Sequence, residues 1–209
     1  MRLRRLLVTT RISGGSHKGR LIRTPAAANL RPTSERVRSA IFSIIGPEAV
    51  QEKRVLDLYA GTGVLGIEAL SRGAVWAEFV ERNGRLCTAI RTLLRQLSLE
   101  SSARVVKADV SRAWSALSGG YDLVFADPPY DSDKIGELAS ALQKPGLIAK
   151  GGLVVVEYRA GADPIESSGA GYYTHLTLPT TPYVEISVGV VSVKKKSTIL
   201  RLISFFVVW

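Results

Sequence analysis

Val55-Leu56-Asp57-Leu58-Tyr59-Ala60-Gly61-Thr62-Gly63-Val64-Leu65-Gly66 reads as an apolar strand, a glycine-rich turn and the first turn of a helix. Glycines at such a turn let the backbone come close to a nucleoside and to the strand beneath. The spacing Gly61-x-Gly63-x-x-Gly66 is shared with dinucleotide-binding enzymes, and Glu81 follows Gly61 by twenty residues, where a ribose-binding acid would stand. A nicotinamide oxidoreductase is therefore one reading. Asp57 favours another, because an acid at the end of the first strand suits a cationic ligand such as S-adenosylmethionine, which carries an ammonium and a sulfonium. A simpler role for Asp57 is to brace the turn.

Working outward, short β-rich runs alternate with longer helical patterns from residue 53 to 158, the mark of βαβ units and a parallel sheet. Strands are expected at Arg54–Leu58, Trp76–Glu81, Ala103–Lys107, Tyr121–Ala126 and Leu153–Tyr158. Helices are expected at Val64–Ser71, Gly84–Leu97, Val110–Leu117 and Lys134–Leu142, the second with Leu86, Ile90, Leu93, Leu94 and Leu97 at helical spacing. The fold class is α/β, doubly wound and Rossmann-like. Ligands of such sheets bind at the carboxyl ends of the strands. Asp57, Glu81 and Asp109 follow three successive strands and would face one crevice, Glu81 taking both ribose hydroxyls and Asp109 the adenine amino group.

The fourth strand ends in Asp127-Pro128-Pro129-Tyr130. Two consecutive prolines fix φ and supply no N–H, so the turn is rigid and rich in acceptors. An exocyclic base amine needs that environment, because its lone pair is delocalised into the ring until two acceptors grip its N–H bonds. The Asp127 carboxylate and the Pro128 carbonyl are the candidate acceptors, with Tyr130 stacking on a base that has left its helix or loop. A plain strand-ending turn with an exposed Tyr is the alternative. Hydride transfer has no use for such a turn, which places the oxidoreductase last.

The formal net charge is +10, and it is unevenly placed. Residues 1–46 hold ten Lys/Arg against Glu35 alone, residues 47–170 hold fourteen against sixteen acids, and residues 171–209 hold four against one. A cationic arm beside a near-neutral body is the footprint of a polyanion binder, although a solvated tail would look similar. In that arm, residues 11–15 and 18–22 suggest two short strands about Gly14-Gly15, and Thr33 or Ser34 caps a helix running to about Ile45. Val37, Ile41 and Ile44 would share its apolar face, with Arg36 and Arg38 elsewhere.

The lone Cys87 excludes an internal disulfide and a Cys-based zinc site, which fits a reducing, cytoplasmic setting. The apolar run near the start is too short for a signal peptide, and the stretch from Ile199 to Trp209 is far below the roughly 18–20 residues that span a bilayer. No metal and no covalent enzyme intermediate are expected.

Taken together, these motifs resemble the bacterial RsmD family. The resemblance rests on Arg11-Ile-Ser-Gly-Gly15, Lys18-Gly-Arg20, Leu30-Arg-Pro-Thr-Ser-Glu-Arg-Val-Arg38, Asp57-Leu-Tyr-Ala-Gly61-Thr-Gly63, Leu65-Gly-Ile-Glu-Ala-Leu-Ser-Arg72, Glu81 and Asp127-Pro-Pro-Tyr130. It spans roughly residues 11–160. It implies methyl transfer from S-adenosylmethionine to N2 of a guanine in 16S ribosomal RNA, free or in a partly assembled small subunit, by a monomer. The implied cofactor set is Asp57, Gly61, Gly63, Glu81 and Asp109, with Tyr59, Ala60, Arg82 and Val110 beside them. The implied RNA-contacting set is Arg11, Lys18, Arg20, Arg23, Arg31, Thr33, Arg36 and Arg38. A DNA adenine-N6 or cytosine-N4 methyltransferase shares the acceptor turn, and an inactive basic RNA-binding protein shares the arm.

The expected organisation is an RNA-contacting extension at 1–46, a methyltransferase domain at 47–170 and an atypical tail at 171–209. Family members close with a helix and an antiparallel hairpin. This tail does not align with that pattern and reads as foreign or frameshifted sequence, although Tyr183–Val193 and Thr198–Val208 have strand character. Without the closing strands the sheet would carry an exposed edge.

Overall fold

The computed structural model describes residues 7–25, 33–128, 137–138, 140–158, 176–177, 187–195 and 198–206. The chain divides into two compact units, Met1–Ala116 and Leu117–Trp209.

The first unit begins with an antiparallel pair, β1 (Leu7–Arg11) and β2 (Leu21–Pro25), in which Thr9 faces Arg23 and Arg11 faces Leu21. The expected hairpin is present, but its strands lie outside the predicted ones. Residues 12–20 form the connection instead, because Gly14, Gly15 and Ser16 dock against a helix rather than pairing with each other. Helix α1 (Glu35–Ile45) is capped by Ser34, whose side chain accepts from Val37 N, and it ends at Gly46 with φ 76°. Its buried face is Val37, Arg38, Ile41 and Phe42.

Three parallel strands follow in spatial order β5 (Ala103–Lys107), β4 (Trp76–Glu81) and β3 (Arg54–Leu58). Helix α2 (Val64–Ser71) joins β3 to β4, and α3 (Gly84–Gln96) joins β4 to β5. All eight residues of α2 are buried, which explains its apolar composition. Helix α3 is amphipathic and buries Leu86, Cys87, Ile90, Leu93 and Leu94. After β5 the helix expected over Val110–Leu117 is shorter: α4 covers Val110–Ala113 and a single 3₁₀ turn covers Trp114–Ala116.

Buried within α2 is Glu68, 1% exposed. A carboxylate out of water is stable only with charge-assisted partners, and Glu68 has several. It accepts from Ser13 N at 2.9 and 3.1 Å, from Ser13 Oγ at 2.7 Å and from Arg72 Nε at 3.0 Å, and it lies 3.8 Å from Arg38 Nε. Arg38 is itself fully buried and also donates to Thr33 O, Thr10 Oγ1 and Arg11 O. The neighbouring Ser71 donates to Gly14 O, while its own carbonyl accepts from Ser16 N. Gly15, at φ 78°, sits so close that a Cβ there would lie 1.8 Å from Ser71 O. The N-terminal segment is thus bolted to α2 through polar atoms.

The second unit carries β6 (Tyr121–Ala126), β7 (Ile148–Tyr158), β8 (Leu176–Thr177), β9 (Ser187–Lys195) and β10 (Thr198–Phe206). Their order is β6-β7-β10-β9-β8, with β6, β7 and β10 parallel and β9 antiparallel to both its neighbours. Strand β7 starts five residues before its predicted limit and pairs with β6 across an irregularity between Tyr121 and Leu123. Residues 137, 138 and 140–142 are helical; the remainder of the helix expected at Lys134–Leu142 lies outside the described residues. The two strand-like stretches of the tail form β9 and β10, and β10 covers the side of β7 that the sequence left as an open edge. Among the described residues no helix is long and apolar enough to cross a membrane.

Removing the Glu68 carboxylate would leave Arg38 buried and uncompensated. Glu68→Ala should lower unfolding stability by about 3–5 kcal/mol in urea titrations. A loss below about 1 kcal/mol would show that the N-terminal segment is held by other means.

Candidate functional site

The carboxyl ends of β3, β4 and β5 share one side of the first unit, and the acids expected there are present. Asp57, 2% exposed, turns its carboxylate onto the start of α2, where Oδ2 accepts from Gly66 N at 3.0 Å. The bracing role is therefore realised. A side chain at Gly66 would drive a Cβ to 2.4 Å from the Phe79 ring, so the glycine is what lets α2 lie on β4.

The turn between β3 and α2 is held in left-handed backbone by Tyr59 at φ 55°, Gly61 at φ 54° and Gly63 at φ 73°. Non-glycine residues seldom adopt this region, so Tyr59 marks local strain of the kind found at ligand sites. Ala60 N donates to Val80 O and Gly63 N to Ala60 O, which fixes the loop across the top of β4.

Glu81 closes β4 with both oxygens directed at backbone. Oε2 accepts from Gly61 N at 2.9 Å and Oε1 from Asn83 N at 2.7 Å. Each carboxylate oxygen has a second lone pair, so the group is oriented by the protein while retaining acceptor capacity for a diol. Asp109 caps α4, with Oδ1 accepting from Ser111 N and Oγ, and its Oδ2 lies 3.8 Å from Arg82 Nη1. Both partners of that pair are substantially exposed, so it orients rather than stabilises. Val110 behind it is buried. Cys87 donates to Glu81 O from inside α3, and burial followed by the nearby Glu81 charge pushes its thiol pKa up. It is a packing residue that helps hold Glu81.

In the second unit Asp127 and Pro128 directly follow β6. Asp127 is half-buried, and burial raises its carboxyl to about 6. Pro129, Tyr130 and Arg31 lie outside the described residues.

Of the expected RNA-contacting residues, Arg11, Lys18, Arg20, Arg23 and Arg36 are exposed and Thr33 is half-buried. Arg38 is a correction. Its guanidinium is enclosed by Thr10, Arg11, Thr33 and Glu68, so it holds the extension in place and offers nothing to a partner. Ser13, Glu68, Ser71 and Arg72, which form the rest of that anchor, were not among the expected functional residues. The available signal was an acid, Glu68, inside an otherwise apolar helix.

These features agree with comparisons to known proteins. The family described as conserved hypothetical protein 95 matches residues 10–172. The chain belongs to this family, the RsmD family. YlbH of Bacillus subtilis (strain 168) is 35% identical over 76% of this chain and 88% of its own length. Ribosomal RNA small subunit methyltransferase D of Escherichia coli (strain K12) is 34% identical, covering 70% of this chain and 73% of the relative. The solved structure of Escherichia coli yhhF superposes with a TM-score of 0.69 at 29% identity, over 82% of this chain and 93% of that one. The fold is the Rossmann-like class I methyltransferase fold, and S-adenosylmethionine is the cofactor of the family.

The raised carboxyl of Asp127 has a consequence for stability. Its pKa in the folded chain lies above the unfolded value of about 3.8, so the folded state binds the proton more tightly between about pH 4 and 6. The wild type therefore loses stability as pH rises through that window and keeps the penalty at neutral pH. Asp127→Asn should be more stable than wild type by about 1–3 kcal/mol at pH 7 and equal to it near pH 3.5. Urea titrations at the two pH values measure this, and a variant no more stable at pH 7 would contradict it.

Proposed function

We propose that the chain transfers a methyl group from S-adenosylmethionine to N2 of a guanine in small-subunit ribosomal RNA. The observation that carries the reading is that the chain holds both a glycine turn fixed by Asp57 and Glu81 and, at the end of β6, a half-buried Asp127 followed by a buried Pro128. The names of the E. coli relative and the basic extension direct it to small-subunit RNA.

The site fits the cofactor on its own chemistry. Positive-φ glycines leave room for close backbone approach, Glu81 keeps a lone pair on each oxygen for the two ribose hydroxyls, and Asp57 places negative charge beneath the turn for the ammonium. Tyr59, Ala60, Gly61 and Gly63 line the turn. Arg82, Asp109 and Val110 would hold the adenine end, with the exposed Asp109 carboxylate as acceptor for its amino group. When bound, the cofactor supplies an electrophilic methyl carbon on sulfur.

Asp127 and the Pro128 carbonyl accept the two N–H bonds of the base amine. This would localise the nitrogen lone pair and orient the amine towards the electrophilic methyl group that the cofactor would supply. The alkylated nitrogen then sheds a proton, which the Asp127 carboxylate can take. Tyr130 stacks on the extruded base, and Pro129 stiffens its approach. Arg11, Lys18, Arg20, Arg23, Arg31, Thr33 and Arg36 contact phosphates. The enzyme acts as a cytoplasmic monomer on free RNA or on a partly assembled subunit.

Incubation with labelled S-adenosylmethionine and, in parallel, unmodified small-subunit RNA or duplex DNA should place label on guanine N2 of the RNA, and label on adenine N6 or cytosine N4 of the DNA instead would overturn the assignment. Asp127→Ala should lower kcat by at least about 100-fold while leaving cofactor affinity within about 3-fold. Because the ionised carboxylate is the acceptor, kcat should fall as pH drops through about 6; a flat profile between pH 5 and 8 would remove Asp127 from that role.

A further inference from the structure

The body of the chain is near neutral on average, yet one surface of the first unit is not. Helix α3 contains Arg85, Arg91 and Arg95 and no acid. Arg85, Thr88, Thr92 and Arg95 are all exposed and follow each other at intervals of three, four and three residues, which is one straight stripe along the helix, with Arg91 at its flank. Lys107 is exposed at the end of the neighbouring strand β5 and lies beside the first turn of α3, its Nζ 3.3 Å from where a Gly84 Cβ would be.

Two features make this arrangement unfavourable for the helix itself. Arg85 and Lys107 stand at the positive end of the helix dipole, with no acid in the first turn. Arg91 and Arg95 are like charges four residues apart. Among the described residues no acid pairs with Arg85, Arg91, Arg95 or Lys107. The exposed hydroxyls in the stripe are tied down, Thr88 Oγ1 donating to Gly84 O and Thr92 Oγ1 to Thr88 O, so short side chains separate the arginines. Arg91 is partly compensated by its bond to Val105 O and Arg95 by its place in the last turn, but the cationic first turn at Arg85 and Lys107 has no such relief, and a polyanion would supply it.

The position of the stripe says what that partner is. One end begins four residues after Glu81, at the proposed cofactor crevice. The other reaches Leu97, whose carbonyl is 3.0 Å from His17 Nε2 in the connection that also carries Lys18 and Arg20. From Arg85 to Arg95 the helix advances about 15 Å, enough to follow several phosphates of one strand.

We infer that the exposed face of α3, with Lys107, is a second RNA-backbone surface that runs from the basic connection of the N-terminal segment to the mouth of the proposed cofactor crevice. The inference rests on the RNA-methyltransferase reading for the identity of its polyanion. Arg85, Arg95 and Lys107 are its phosphate contacts. Arg91, which donates to Val105 O at 2.9 Å, is half committed to the fold.

The test compares full-length wild type, the triple variant Arg85→Gln/Arg95→Gln/Lys107→Gln and the control Lys53→Gln/Lys150→Gln, using unmodified small-subunit RNA at several salt concentrations. The triple variant should bind RNA at least about 10-fold more weakly near 0.1 M salt, and the slope of log affinity against log salt should fall by about 2–3, near 0.7–0.9 for each lost contact. Cofactor affinity and melting temperature should not fall. Single Arg85→Gln and Arg95→Gln variants should each show part of the loss, which keeps the result readable if the triple variant folds poorly. An unchanged slope, or an equal loss per charge in the control, would overturn the surface. Wild type that binds RNA through this stripe but methylates none of it would leave the surface standing and remove the proposed reaction. Normal methylation by the triple variant at unchanged kcat/KM would remove the surface alone.

Discussion

A carboxylate at 1% exposure must be matched by its surroundings, and around Glu68 the match is made by Ser13, Arg72 and Arg38, residues from three separate parts of the chain. The first unit depends on this cluster because of where α2 lies. The helix starts at the glycine turn, where Asp57 holds Gly66 N, and two residues later Glu68 holds the N-terminal connection. One short helix is therefore fixed at its start by the cofactor turn and along its side by the basic segment. The low dielectric that makes an unpaired Glu68 costly also makes its satisfied bonds directional. The extension is thereby seated in a definite pose instead of trailing as a cationic tail.

This seating gives the arginines and lysines of the extension distinct roles. Arg38 is consumed by internal acceptors, whereas Arg11, Lys18, Arg20, Arg23 and Arg36 remain at the surface. A count of positive charge treats them alike. Only the accounting of hydrogen bonds separates an arginine that anchors the segment from arginines that can meet phosphate: Arg38 Nη1 and Nη2 donate to three internal acceptors, while its buried Nε makes no hydrogen bond and lies 3.8 Å from Glu68.

Much of the fold was legible because its elements obey simple periodicities. The strands at Arg54–Leu58, Trp76–Glu81, Ala103–Lys107 and Tyr121–Ala126 and the helices at Val64–Ser71 and Gly84–Gln96 lie where alternation of apolar runs and turn residues places them. The positions of Glu81 and Asp109 at the ends of β4 and β5 were legible from the strand pattern. What escaped depends on contacts distant in sequence. The hairpin strands were misplaced because Gly14 and Gly15 look like a tight turn, whereas their small size serves close packing against Ser71 and Arg72, more than fifty residues away. The helix after Val110 looked longer than it is because propensity alone does not terminate it, and Arg38 looked exposed because no local pattern announces a buried salt bridge.

The charge of the body shows the same limit in another form. Summed over residues 47–170, cations and acids nearly cancel, and a segment so balanced gives no reason to look for a polyanion surface. Folding sorts the two signs. Glu68, Glu78 and Glu81 are buried and bound to internal donors, so they contribute little to the field outside, while Arg85, Arg95 and Lys107 stay in water. An exposed surface therefore need not carry the charge of its sequence, and in α3 the difference is large because the helix has no acid of its own. A phosphate strand guided along that helix would arrive beside Glu81, so the electrostatics outside the crevice and the hydrogen bonds inside it serve the same geometry.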